Sequence, residues 1–140
     1  MNPTAGLADI VLPVSDEMDC RACHASGAGH GARPAAGWAW DCDSQRDYRW
    51  NILRLHDQTR FAEMPEAYTN ILASRGFRTN GLYASAAKGG HPVLCASCHL
   101  SEAIPDSGHP DVPPLTEAVH TLHAAVIDPV TGIALGTTLN

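Results

Sequence analysis

Two stretches of this chain follow one grammar, Cys20-Arg21-Ala22-Cys23-His24 and Cys95-Ala96-Ser97-Cys98-His99. Each sets two thiols three positions apart, so that one helical turn brings them to the same side, with an imidazole directly after the second. That arrangement suits covalent attachment of a c-type haem. The thiols add to the two vinyl groups as thioethers, and the neighbouring histidine reaches the iron as its proximal ligand. With five Cys and eight His in 140 residues, a random CxxCH is expected on the order of 0.01 times per chain. Two competing chemistries share the CxxC element. Four thiolates from two pairs can hold a structural zinc, and a single pair can act as a redox dithiol, which belongs in a βαβ setting. The histidine after each pair favours two haems, bound by Cys20, Cys23, His24, Cys95, Cys98 and His99.

The motifs supply one axial ligand per iron. Six histidines remain for the other side: His30, His56, His91, His109, His120 and His123. The methionines are Met1, Met18 and Met64; Met18 is too close to Cys20 to swing over the far face of that haem, and Met64 precedes Pro65 with nothing to support it. Histidine is therefore the expected sixth ligand, giving bis-histidine haems of low potential, since methionine would raise it. His56, His120 and His123 are the candidates. His30 lies in a glycine-rich loop, while His91 and His109 each precede proline and so sit in extended or turn backbone.

The elements that must carry these side chains read as short helices. Ser44 with Asp47 three later resembles a capping box. Behind it Tyr48, Ile52 and Leu55 recur at helical spacing, with His56 beside Leu55 on the apolar face. Arg46, Arg49, Arg54 and Arg60 on that helix could pair with haem propionates or simply face solvent. Pro65 to Gly76 has proline in its first turn and glycine just past its end, and Asn80-Gly81 marks a turn. Pro114 to Val126, stopped by Pro129, carries His120 and His123 on neighbouring edges of one face. Trp38, Trp40 and Trp50 are the large aromatic bodies, suited to porphyrin edges or to ordinary packing. Cys42 is left without assigned chemistry.

The expected fold is mainly α with extensive coil, little or no β-sheet, and an interior organised by haem. Ten prolines, twelve glycines and 6% aromatic residues leave only a thin apolar core for a chain of this size. Residues 1–140 are read as a single dihaem cytochrome c domain. The net charge of −6 speaks against nucleic acid as a partner, which requires a basic face. No apolar run approaches the ~20 residues of a transmembrane helix. The N-terminal residues lack the pattern of a signal peptide, although haem attachment to CxxCH takes place outside the cytoplasm. The expectation is thus a chain numbered after signal removal or forming part of a longer multihaem protein.

These features resemble the exported multihaem c-type cytochromes of anaerobic, metal-reducing bacteria, this chain resembling an N-terminal portion. The resemblance runs from Asp9-Ile10-Val11-Leu12-Pro13 into Cys20–Gly27, through Asn51-Ile52-Leu53-Arg54-Leu55-His56-Asp57 and Gly81-Leu82-Tyr83-Ala84. It closes on Pro92–His99 and on Pro113-Pro114-Leu115-Thr116 with His120 and His123. It implies a fold set by haem packing, further CxxCH motifs beyond Asn140, and a periplasmic or extracellular task in electron transfer. The implied partners are redox proteins or other copies of the chain, in an oligomer or filament. Two other functions compete with a non-enzymatic relay. One is a haem-bearing subunit of a larger redox complex; the other is a multihaem reductase with one open, five-coordinate haem, for which no catalytic set of Lys, Arg, His or Tyr stands out.

Overall fold

The computed structural model describes residues 19–29, 32–129 and 131–135. The chain forms two compact units, Met1–Gln58 and Thr59–Asn140, and each contains one CxxCH motif. The described residues are helical or irregular; their β pairing is a single antiparallel bridge between Ile127 and Ala134. This is the mainly helical, coil-rich architecture expected from the sequence. No described helix is long and apolar enough to cross a membrane.

In the first unit, α1 (Arg21–His24) is one turn made of the motif itself. The long helix α2 (Ser44–Glu63) follows, and the division between the units falls within it. Its start differs from the capping-box expectation. The Asp43 carboxylate accepts the Gln45 N–H (2.8 Å), and the Asp43 carbonyl takes the N–H groups of Arg46 and Asp47. Asp43 is therefore the residue that satisfies the helix's first donors, which frees the Asp47 side chain for another task.

The most buried positions of α2 are polar: Asp47, Asn51 and Asp57. Tyr48, Ile52 and Leu55, which make up the helix's apolar face, are only half-buried. The reason is the segment that α2 packs against. The described residues of 25–29 and 32–41 are irregular, with few backbone partners of their own, and buried backbone N–H and C=O groups must be satisfied. α2 satisfies them from one stripe, spaced four, three and four residues apart. Asp47 accepts the N–H groups of Ser26 (2.7 Å) and Asp41 (3.0 Å). Asn51 accepts from Ala39 N–H (2.7 Å) and donates to the His24 carbonyl (2.8 Å) and the Ser26 hydroxyl (3.0 Å). Arg54 donates to the Gly37 carbonyl (3.0 Å), and Gln58 accepts from Ala35 N–H (2.6 Å).

The second unit has an apolar core. Helix α3 (Pro65–Ser74) has Pro65 at its first turn and ends as its sequence suggests. Gly76 takes the left-handed backbone (φ 77°) that lets the chain reverse, and Phe77 N–H returns to the Leu72 carbonyl (2.9 Å). Tyr68, Leu72, Phe77, Leu82, Ala84 and Ala96 are buried. The Phe61 and Tyr68 rings meet edge to face at 4.9 Å between centroids. After the turn at Arg78–Gly81, a π-helical turn (Ala84–Lys88) presents the buried Ser85. Its hydroxyl donates to the Gly81 carbonyl and accepts the Arg78 N–H, both at 2.8 Å. A short 3₁₀ turn (Cys95–Ser97) holds the second motif. The last helix, α4 (Leu115–His123), is shorter than the expected Pro114–Val126 span.

Candidate haem-attachment sites

Both motifs adopt the same backbone turn by different routes. In the first, the Cys20 carbonyl accepts N–H groups from Cys23 (3.3 Å) and His24 (2.9 Å); in the second, the Cys95 carbonyl accepts from Cys98 (3.2 Å) and His99 (2.9 Å). One shared carbonyl thus winds the pentapeptide so that both thiols and the imidazole are carried on a single turn. In each motif the first cysteine is exposed and the second half-buried, and no disulfide joins any of the five cysteines. Partial burial pushes the Cys20 thiol up, with the Asp19 charge adding to it. Burial likewise pushes Cys98 up, against the opposing charge of Arg75. Redox-active CxxC thiols are shifted the other way, toward the thiolate.

The histidine rings carry tautomer information. His99 Nδ1 lies 2.8 Å from the Pro113 carbonyl. A carbonyl can only accept, so the ring proton sits on Nδ1 and Nε2 carries the lone pair that binds a metal. His123 repeats the arrangement, with Nδ1 2.7 Å from the Val119 carbonyl one turn earlier on α4. His109 is set the opposite way, since its Nδ1 accepts the Asp111 N–H (3.1 Å). That places the proton of the neutral ring on Nε2 and makes His109 a poor ligand. His91 packs edge to face on Phe77, centroids 4.7 Å apart. His56 is half-buried on α2, five residues beyond the Asn51 that holds the His24 carbonyl; His120 is exposed near the end of α4. His30, Met1, Met18 and the Asp9–Pro13 stretch lie outside the described residues.

The second motif is braced on three sides. Gly108 N–H bonds the Ala96 carbonyl and His109 N–H the Cys98 carbonyl, both at 2.8 Å, and Leu115 N–H bonds the Leu100 carbonyl (2.9 Å). Gly108 has φ 92°, and a Cβ there would meet the Leu100 backbone at 2.9 Å. Arg75, just past α3, adds a fork that the sequence reading missed. Its Nε donates to the Ser97 carbonyl (2.9 Å) and its Nη2 to the Gly108 carbonyl (2.7 Å). A charged residue at a helix end reads as solvated, and nothing in its local pattern reveals a bond to a loop more than twenty residues away.

The four arginines considered for propionates are engaged within the chain. Arg46 pairs with Asp41 (3.1 Å), Arg49 lies over the Tyr48 ring, Arg54 bonds Gly37, and Arg60 pairs with Glu63 (2.8 Å). Trp50 donates to Asp41 (3.1 Å). Trp40, by contrast, is 72% exposed, and its ring edge lies 3.4 Å from where a Cβ on Gly27 would stand, three residues past His24. Leu94 and Leu100, which flank the second motif, are exposed too. Each motif therefore stands beside bare apolar surface of the kind a flat hydrophobic cofactor covers.

Among the described residues, no three His, Cys, Asp or Glu side chains converge to hold a metal ion. The chain matches no protein-family model, no curated protein and no solved structure.

Proposed function

We propose that this chain is a non-enzymatic electron-transfer protein carrying two covalent c-type haems, one in each unit. The observation that supports the reading most is the repeated turn, in which Cys20 and Cys95 each wind a CxxCH pentapeptide around one carbonyl. Haem bound at these sites would supply a one-electron Fe(III)/Fe(II) couple.

The residues that hold it have distinct tasks. Cys20, Cys23, Cys95 and Cys98 anchor the vinyl groups, and His24 and His99 are the proximal ligands. The Pro113 carbonyl fixes the His99 tautomer, and Asn51 and Asp47 hold the backbone that leaves His24. For the far side of the irons, His56 suits the first unit. His123, with its Nδ1 tied to Val119, suits the second better than the exposed His120. Two imidazoles on each iron leave no open position for a substrate, which favours a relay over a reductase.

In this reading residues 1–140 form a haem-organised dihaem module of the multihaem cytochrome type, within or beside a longer assembly. It works in the periplasm or outside the cell, with redox proteins or further copies of the chain as partners. Electron paramagnetic resonance of the oxidised, haem-loaded protein tests the claim. Low-spin signals accounting for both irons are expected. A high-spin signal surviving in intact material points to an open iron and overturns the relay, and a negative pyridine haemochrome assay removes the haem altogether.

A further inference from the structure

The residues that brace the two motifs differ in charge. In the first unit, the neutral amide of Asn51 holds the His24 carbonyl, and the ionised group bonded to the motif's exit is the Asp47 carboxylate on Ser26 N–H (2.7 Å). The first motif's own cation, Arg21, is paired with the Asp19 carboxylate at 3.5 Å. In the second, Arg75 from outside the motif donates its Nε to the Ser97 carbonyl (2.9 Å). Ser97 directly precedes Cys98 and His99, so this cation is bonded to the backbone that carries both. Cys98 would form one thioether and His99 would ligate the iron, so a charge held on that backbone would lie near the haem's point of attachment.

Adding an electron to a ferric haem lowers the positive charge at its centre by one. A cation nearby favours that change and an anion opposes it, by an amount that grows as solvent is excluded. With histidine on both sides of each iron, the axial ligands would not separate the two potentials, and local charge, beside hydrogen bonding and burial, becomes an influence that can. We propose that Arg75 raises the potential of the haem on Cys95 and Cys98, making it the preferred resting place of an electron entering the chain. The proposal rests on the dihaem reading above. It orders the two potentials, with the haem of the second unit the higher.

The test is a potentiometric titration of the haem-loaded full chain, followed by absorbance. The wave of the second haem is identified as the one that survives in the Cys20→Ala, Cys23→Ala double variant. It is expected to be the more positive of the two. Arg75→Gln should move it to more negative potential and leave the other in place. Arg75→Lys, which keeps the charge but cannot bridge two carbonyls as the planar fork does, should restore most of the shift.

If Arg75→Lys falls as far as Arg75→Gln, the fork and not the charge matters, and the proposal is overturned. It is equally overturned if the wave stays put in Arg75→Gln with both haems attached. The wild-type chain gives a measurement that needs no variant to fold. Raising ionic strength screens the exposed guanidinium and should narrow the gap between the waves; a gap that widens or holds constant contradicts it. A wild-type chain without covalent haem in the pyridine haemochrome assay fails the dihaem reading instead, a result distinct from all of these.

Discussion

The two units solve one problem, holding a CxxCH turn rigid, with different materials. In the first, a helix spends its most buried positions on Asp47 and Asn51, whose side chains bond the backbone of residues 24–41. In the second, Tyr68, Leu72, Phe77 and Leu82 form an apolar core, and the motif is latched to it by backbone bonds and Arg75. The contrast follows from what each segment offers. Residues 24–41 are rich in alanine and glycine and have little to bury, so polar satisfaction of the backbone dominates. The second unit can bury aromatic and leucine side chains, and hydrophobic burial there contributes the larger share. A polar clamp should fail sharply when one member is removed, because the partners left behind stay buried and unsatisfied. An apolar core should tolerate the loss of a single hydrogen bond and respond instead to steric intrusion.

The sharpest break is expected at Asn51, which is fully buried. Asn51→Ala strands the Ala39 N–H and the His24 carbonyl together, at a cost of about 3 kcal/mol. Trp38, Trp40 and Trp50 all lie in the first unit, so tryptophan fluorescence in a denaturant titration reads this unit alone. The midpoint should fall markedly, while hydrogen exchange measured by mass spectrometry in 65–125 stays as in the wild type. Equal loss of protection in both segments would show that the clamp is not local to the first unit.

Gly108 is the matching point in the second unit. Gly108→Ala forces a side chain onto left-handed backbone and into the Leu100 main chain, costing about 2 kcal/mol. Faster hydrogen exchange should appear around 95–115, and tryptophan fluorescence should be unmoved. A variant as stable as the parent would mean that the 100–108 loop yields freely and does not brace the motif.

Part of this was legible from residue types alone. The motifs, the helix from Ser44, the proline-to-glycine limits of α3 and the helical, strand-poor character all follow from local rules acting within a few residues. What was not legible depends on partners distant in sequence. Asp47 reads as the N3 member of a capping box led by Ser44, yet Asp43 takes the cap and Asp47 reaches back to Ser26 and Asp41. Asn51 looks like any polar residue on an exposed face, and the apolar stripe of Tyr48, Ile52 and Leu55 gives no hint that the polar face is buried more deeply. Arg75 carries no local signal at all. The hydrogen bonds that fix the ring nitrogens of His99, His109 and His123 likewise require coordinates, because all six spare histidines are chemically alike in a sequence.

The smallest expected effect is a difference in acid sensitivity, and it comes from Asp47. Burial raises its pKa, but the N–H groups of Ser26 and Asp41, with the Ser26 hydroxyl, outweigh that and hold it below the ordinary 3.8. A carboxyl depressed in the folded state contributes stability above its unfolded value and loses it as pH falls through the folded one. The first unit should therefore begin to weaken just below about pH 4. The ionic brace of the second unit, Arg75, is not a carboxylate. The loss is smaller than that of Asn51→Ala, since a protonated Asp47 still offers acceptor oxygens to its two partners. Tryptophan fluorescence against hydrogen exchange in 65–125, followed from pH 5 downward, should show the first unit responding first. The reverse order would mean that Asp47 is not the acid-labile member of the clamp and that the polar unit draws its stability elsewhere.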